Sequence, residues 1–142
     1  MHDPRDRPIS LLIVDDHPVV RDGLRAILET EPGIAVVGQA ATGREALQRY
    51  AELRPDVTLL DVHLMDESGL DVLFEIRSRN EAAAVLMISA FDHDEDMHGA
   101  LKLGARGYVL KDLKADELIR AIQAAHEGGP SLLPGVGDKF GG

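Results

Sequence analysis

Val57-Thr58-Leu59-Leu60-Asp61-Val62 is an apolar run of β-branched and aliphatic residues with one carboxylate near its end. Such a run is typical of a strand that is buried on both faces of a parallel sheet. A carboxylate in that setting costs free energy unless a partner stabilises it. Ligands of open α/β sheets bind beyond the carboxyl ends of the strands. Asp61 is therefore either a structural exception or part of a site.

Similar runs occur four more times along the chain, and a segment with apolar residues at helical spacing follows each of the five. The predicted strands are residues 9–14, 34–39, 57–62, 84–89 and 107–111. The predicted helices begin near Pro18, Gly43, Leu70, Asp92 and Asp116. This alternation with short connections predicts an α/β domain with a doubly wound parallel sheet, helices on both faces and right-handed crossovers.

Composition and charge limit the function. The 142 residues suffice for one domain, and the net charge of -10 argues against a direct grip on DNA or on an anionic membrane. The absence of cysteine excludes disulfides and thiol catalysis and fits a cytoplasmic protein. No apolar run approaches the roughly 20 residues that span a bilayer. We therefore expect a cytoplasmic protein with no membrane segment.

Three regions are expected along the chain. Residues 1–8 form a polar lead-in, residues 9–127 the domain, and residues 128–142 a tail rich in Gly and Pro. The tail has no periodic apolar face, so we predict a flexible linker or frayed end. A linker would favour a longer parent protein, and the alternative is a single-domain protein with a ragged tail.

Polar residues stand at the predicted ends of four strands. Asp15 and Asp16 follow the first strand, Asp61 ends the third, Ser89 the fourth and Lys111 the fifth. These ends share one edge of a parallel sheet. Three carboxylates raise one another's pKa, and a hard cation with oxygen ligands such as Mg²⁺ relieves this. The edge is thus a predicted Mg²⁺ site.

This constellation also suggests a reaction. With Mg²⁺ bound, Asp61 is a candidate nucleophile toward phosphorus, because aspartyl phosphate is a known covalent intermediate. Mg²⁺ and Lys111 would neutralise the phosphoryl oxygens, and the Ser89 hydroxyl would donate a hydrogen bond to one of them.

The same residues resemble a known family. Over about residues 9–127 the chain is similar to the receiver domain of two-component response regulators. The matching motifs are Leu12-Ile13-Val14-Asp15-Asp16-His17-Pro18, Leu60-Asp61, Gly69, Ile88-Ser89-Ala90, Gly104-Ala105 and Gly107-Tyr108-Val109-Leu110-Lys111. Asp15-Asp16-His17-Pro18 and Gly107-Tyr108-Val109-Leu110-Lys111-Asp112 look like the NarL/LuxR-type subgroup.

The resemblance implies a flavodoxin-like (βα)5 fold with strand order 2-1-3-4-5. It implies that a sensor histidine kinase phosphorylates Asp61. It also implies that Mg²⁺ is held by Asp15, Asp16, Asp61 and the backbone carbonyl of His63. It also implies a switch through Ser89 and Tyr108. The only catalysis expected is self-catalysed phosphorylation and dephosphorylation.

The resemblance further implies partners. Phosphorylated receivers of this kind pair with a second copy, and a helix-turn-helix domain after residue 128 would contact DNA in place of this chain. Output would then be control of transcription.

Two positions depart from the family pattern. Met65 stands where the family usually has proline, and Asp66 follows it. We expect a more mobile loop, added negative charge near the site and altered phosphorylation kinetics. Asp112 follows Lys111 where many receivers have a cis proline, which leaves the geometry of that bond open.

Other functions remain open. A receiver-like scaffold that binds partners without phosphorylation usually lacks an acid or the lysine, and this chain keeps them all. A Mg²⁺-dependent aspartyl phosphatase of the haloacid dehalogenase type has a second Asp two residues after the first, where this chain has His63.

Overall fold

Strands and helices alternate through the chain. The computed structural model describes residues 7–128 and 131–132. The strands are β1 (Ile9–Val14), β2 (Ile34–Ala40), β3 (Val57–Asp61), β4 (Val85–Ser89), β5 (Gly107–Leu110) and β6 (Ser131–Leu132). The helices are α1 (Pro18–Leu28), α2 (Gly43–Leu53), α3 (Gly69–Arg79), α4 (Asp94–Lys102) and α5 (Ala115–Glu127). The five predicted strand–helix units are confirmed, with boundaries that shift by one or two residues for most elements.

All the strands are parallel and lie in the order β2-β1-β3-β4-β5-β6. The predicted order 2-1-3-4-5 is therefore confirmed. β6 was not predicted, because two residues are too few to show an apolar period in a segment rich in Gly and Pro. The rest of the predicted tail, residues 129–130 and 133–142, and the first six residues of the lead-in lie outside the described residues.

The core has two layers, one on each face of the sheet. On β3, Leu60 packs into the cluster that includes residues of α2, α3 and α4, while Leu59 packs into the cluster of α1 and α5. All five residues of β3 are buried. Successive side chains of a strand point to opposite faces, so a strand covered on both sides is mostly apolar, and its polar residues, Thr58 and Asp61 in β3, are exceptions.

Helix ends follow the local sequence. The Thr42 hydroxyl accepts a hydrogen bond from the Glu45 N–H and caps α2, as its motif predicts. Gly104 and Gly128 follow α4 and α5 with φ angles of 92° and 93°, which suit glycine. At the end of α1, Leu28 is buried, whereas its neighbour Ile27 is 39% exposed.

No helix in the described part of the chain combines the length and the apolar character that crossing a membrane requires.

Candidate functional site

The predicted site residues meet at the carboxyl edge of the sheet. Among the described residues, the buried polar or charged side chains are Asp15, Thr58, Asp61 and Ser89. All but Thr58 stand at strand ends along this edge. Parallel strands that start at one edge of a sheet must finish at the other, so residues far apart in sequence converge there.

Lys111 joins the two buried acids. Its Nζ lies 2.8 Å from Asp15 Oδ2 and 2.8 Å from Asp61 Oδ2. Burial is the largest influence on the pKa of Asp61 and raises it, and hydrogen bonds from Lys111 and His63 oppose this shift in part. Burial by itself lowers the pKa of Lys111, but its bonds to the two carboxylates outweigh burial and the pKa is raised. Burial thus dominates the shift at Asp61, whereas the two carboxylates dominate the shift at Lys111.

The turn after β1 is held by backbone and side-chain contacts. The His17 N–H donates to Asp15 Oδ1 at 2.9 Å, and His17 Nδ1 lies 3.0 Å from Asp16 Oδ1. Arg21 Nη1 donates to the Asp15 carbonyl oxygen at 2.7 Å, and Arg21 Nε donates to Gln39. Arg21 was not predicted, although its spacing of four from His17 places it on the helix face that meets this turn.

The acids fit a divalent cation. Single ligand atoms of Asp15, Asp16, His17 and Asp61 all lie within 4.8 Å of one another. Asp16 Oδ1 is buried and has no hydrogen bond of good geometry. An acceptor oxygen left in this state is stabilised by a cation, and three carboxylates suit Mg²⁺, whereas an imidazole suits transition metals. The residues at this edge therefore fit Mg²⁺ through Asp15, Asp16 and Asp61.

The chain after β3 stays beside Asp61. The His63 N–H donates to Asp61 Oδ1 at 3.0 Å, so the backbone of His63 lies next to the site. The His63 carbonyl as a metal ligand stays a prediction. The His63 ring points elsewhere, with Nε2 3.3 Å from Asp96 Oδ2. A β-carbon at Gly69 would lie 2.0 Å from the Asp61 carbonyl oxygen, which explains why glycine opens α3.

The two residues of the departure after β3 behave differently. Met65 is 88% exposed. Both carboxylate oxygens of Asp66 accept the Gly43 N–H at 3.1 Å, so Asp66 binds the first residue of α2. The expectation of a more mobile loop and altered kinetics stays a prediction.

Ser89 and Tyr108 both contact the backbone of Phe91. The Ser89 hydroxyl oxygen accepts the Phe91 N–H at 3.0 Å, and the Tyr108 hydroxyl donates to the Phe91 carbonyl oxygen at 3.3 Å. Tyr108 is fully buried, and burial is the main reason that its pKa is raised. A shift of residue 91 would therefore disturb both hydroxyl groups. Lys111 and Asp112 are joined by a trans peptide bond.

Solved structures share this fold. The signal receiver domain of the putative response regulator NarL from Mycobacterium tuberculosis is 34% identical, with a TM-score of 0.82, over 86% of this chain and 98% of that chain. A LuxR-family two-component response regulator from Aurantimonas sp. SI85-9A1 is 33% identical, with a TM-score of 0.88, over 94% and 96% of the two chains.

Curated relatives agree with the structures. The nitrate/nitrite response regulator protein NarL of Escherichia coli strain K12 is 36% identical over 121 residues, which are 85% of this chain and 56% of that protein. The DNA-binding transcriptional activator DevR/DosR of Mycobacterium tuberculosis is 41% identical over 115 residues, 81% of this chain and 53% of that protein. The chain thus spans about half the length of these relatives. The family model described as response regulator receiver domain matches residues 11–123, and the chain belongs to that family.

Proposed function

We propose that this chain accepts a phosphoryl group on Asp61 from a sensor histidine kinase. The observation that supports this most is the position of Lys111 Nζ, which is 2.8 Å from both Asp61 and Asp15. A fixed ammonium beside a buried carboxylate provides positive charge where the negative charge of a transferring phosphoryl group would develop.

Each site residue has a task in this reaction. An Asp61 carboxylate oxygen forms the new P–O bond while the P–N bond to the kinase histidine breaks, and the released imidazole keeps the electron pair and takes up a proton from solvent. Lys111 binds one phosphoryl oxygen, and the Ser89 hydroxyl donates to another. Asp15, Asp16, Asp61 and the His63 carbonyl would hold Mg²⁺, which when bound neutralises phosphoryl charge. Catalysis is limited to this self-phosphorylation and to the later hydrolysis of the acyl phosphate.

The proposed switch begins at Ser89. If its hydroxyl turns toward the phosphoryl group, the Phe91 N–H loses its present acceptor. The Phe91 backbone then moves, and the Tyr108 hydroxyl loses the carbonyl that it now contacts. A buried phenol without a partner is costly, so the start of α4 and the end of β5 repack together.

The wider role follows the relatives. We propose that the parent protein carries a helix-turn-helix domain beyond this chain and regulates transcription in the cytoplasm. Phosphorylation would favour pairing with a second copy. The net charge of -10 fits a chain that leaves DNA contact to another domain.

A phosphoryl donor and intact mass spectrometry test the function. The chain is incubated with acetyl phosphate and Mg²⁺, with parallel samples in EDTA. We expect one added phosphoryl group on the wild type, none on Asp61→Asn and a normal yield on Asp22→Asn, which removes an exposed acid from α1. No adduct on the wild type, or an equal adduct on Asp61→Asn, would refute the proposal.

A further inference from the structure

The loop between β3 and α3 is closed on itself at its base. The Gly69 N–H donates to the Val62 carbonyl oxygen at 2.6 Å, and His63 and Ser68 form an antiparallel bridge. Leu64 is buried in the core cluster on the α2–α4 side of the sheet. These contacts leave the tip of the loop, residues 65–67, to be fixed by other means.

Two consecutive acids fix the tip on α2. Asp66 accepts the Gly43 N–H with both oxygens at 3.1 Å. Glu67 lies over the same residue, because a β-carbon at Gly43 would be 2.0 Å from Glu67 Oε1. Glycine at the first position of α2 therefore leaves room for the loop to pack against the helix.

The Asp66 contact differs from an ordinary helix cap. The N–H groups in the first turn of a helix lack partners within the helix and carry partial positive charge. Thr42 already caps α2 through the Glu45 N–H. Asp66 takes a different N–H and comes from another element, so it joins two parts of the fold.

We propose that Asp66 is a positioning residue that docks the β3–α3 loop on the N-terminus of α2 and thereby keeps the His63 backbone beside the acidic cluster. A proline at position 65 would restrict the backbone of this loop by fixing its φ angle. The contact of Asp66 with α2 would restrict the loop in its place. The link to Mg²⁺ rests on the proposed function, whereas the docking itself does not.

Three variants separate docking from charge and from stability. Asp66→Ala removes the acceptor, Asp66→Asn keeps an acceptor oxygen without the charge, and Thr42→Ala weakens the start of α2 by the loss of one cap. Calorimetric titration measures the affinity for Mg²⁺ alone, and amide hydrogen exchange followed by NMR measures the order of residues 62–68. Neither measurement requires phosphorylation.

In Asp66→Ala we expect faster amide exchange at Gly43 and His63. We also expect the affinity for Mg²⁺ to fall by about tenfold, the smaller of the effects usual for residues that support metal ligands without binding the metal. Asp66→Asn should stay near the wild type, and Thr42→Ala should lose stability but keep its Mg²⁺ affinity. An affinity of Asp66→Ala within about twofold of the wild type would overturn the proposal. An equal loss of Mg²⁺ affinity in Asp66→Asn would also overturn it, because the charge of Asp66 and not its contact would then be responsible. An equal loss in Thr42→Ala would overturn it as well, because general destabilisation of α2 would then explain the effect.

Failure of the proposed function has a different signature. A wild type that binds no Mg²⁺ contradicts the function, and hydrogen exchange alone then decides the docking. Unchanged exchange at residues 62–68 in Asp66→Ala would overturn the docking contact in that case.

Discussion

Asp15 and Asp61 compete for a single ammonium group on Lys111. Both acids are buried, so water screens their mutual repulsion weakly. A bound cation, or the loss of one charge, would relieve this repulsion. The repulsion between the two carboxylates raises the free energy of the empty site, and this favours the binding of a cation and the reaction proposed for Asp61.

The charge at Asp61 should therefore lower stability in metal-free buffer at neutral pH. The pKa of Asp61 is raised in the folded state from its ordinary value of 3.8. The protonated carboxyl therefore stabilises the folded state at pH values below 3.8, and this stabilisation is lost as the pH rises through the pKa of the folded state. Asp61→Asn is neutral throughout and leaves Lys111 paired with Asp15. We expect it to exceed the wild type in unfolding free energy at pH 7 by an amount on the order of 1 kcal/mol.

Denaturant unfolding in EDTA across pH 4–7 measures this effect, and the advantage of Asp61→Asn should shrink toward pH 4. Asp22→Asn makes the same charge change on the exposed face of α1. An equal gain in Asp22→Asn would mean that relief of the overall negative charge, and not burial, is responsible.

Sequence reasoning located the acids, Ser89 and Lys111 because position at a strand end is a local property. The contacts of Arg21 and Asp66 escaped it, although Asp66 was singled out as an added charge, because their partners are backbone groups: the Asp15 carbonyl and the Gly43 N–H. Spacing along a helix indicates the face on which such a side chain lies, but not the backbone group that it contacts.

The start of α3 requires a glycine. Its first residue, Gly69, lies so close to the end of β3 that a β-carbon would meet the Asp61 carbonyl oxygen at 2.0 Å and the Val62 Cα at 2.9 Å. Both obstacles are backbone atoms, so a rotamer change cannot relieve the clash. The distance between β3 and α3 is thus set by the absence of a side chain.

Gly69→Ala should lower the free energy of unfolding by about 1–3 kcal/mol, the usual cost of overpacking, and disturb the Asp61 loop. The control is Gly23→Ala in α1, where no atom beyond the neighbouring backbone of the helix itself lies within 4 Å of the new methyl group. Because alanine favours helix over glycine, Gly23→Ala should gain about 0.5–1 kcal/mol. Thermal or denaturant unfolding measures the stability of both variants. Equal stability of the two would contradict the close approach of Gly69 to the backbone of β3.

The sequence indicates where an element lies more directly than which of its apolar residues are buried. β3 is buried along its whole length, so its apolar run is unambiguous. On α1 the buried residue is Leu28 alone, although the exposed Ile27 is also apolar and precedes it directly. Periodicity reports where apolar residues stand, whereas burial depends on the neighbouring elements.

At the scale of the whole molecule, the order of the strands is information that local pattern does not carry. Alternation predicts a parallel sheet, but the placement of β1 between β2 and β3 depends on non-local pairing. The order 2-1-3-4-5 came from family resemblance, and it is this order that brings the ends of β1, β3, β4 and β5 to one crevice.

The central claim is that, of the three acids in that crevice, Asp61 alone takes the phosphoryl group. Borohydride reduces an aspartyl phosphate to homoserine, so a peptide map of the chain after reaction with acetyl phosphate and Mg²⁺ identifies the modified residue by its mass. We predict homoserine at position 61 in the presence of Mg²⁺ and at no position in EDTA. Homoserine at position 15 or 16, or none in the presence of Mg²⁺, would contradict it.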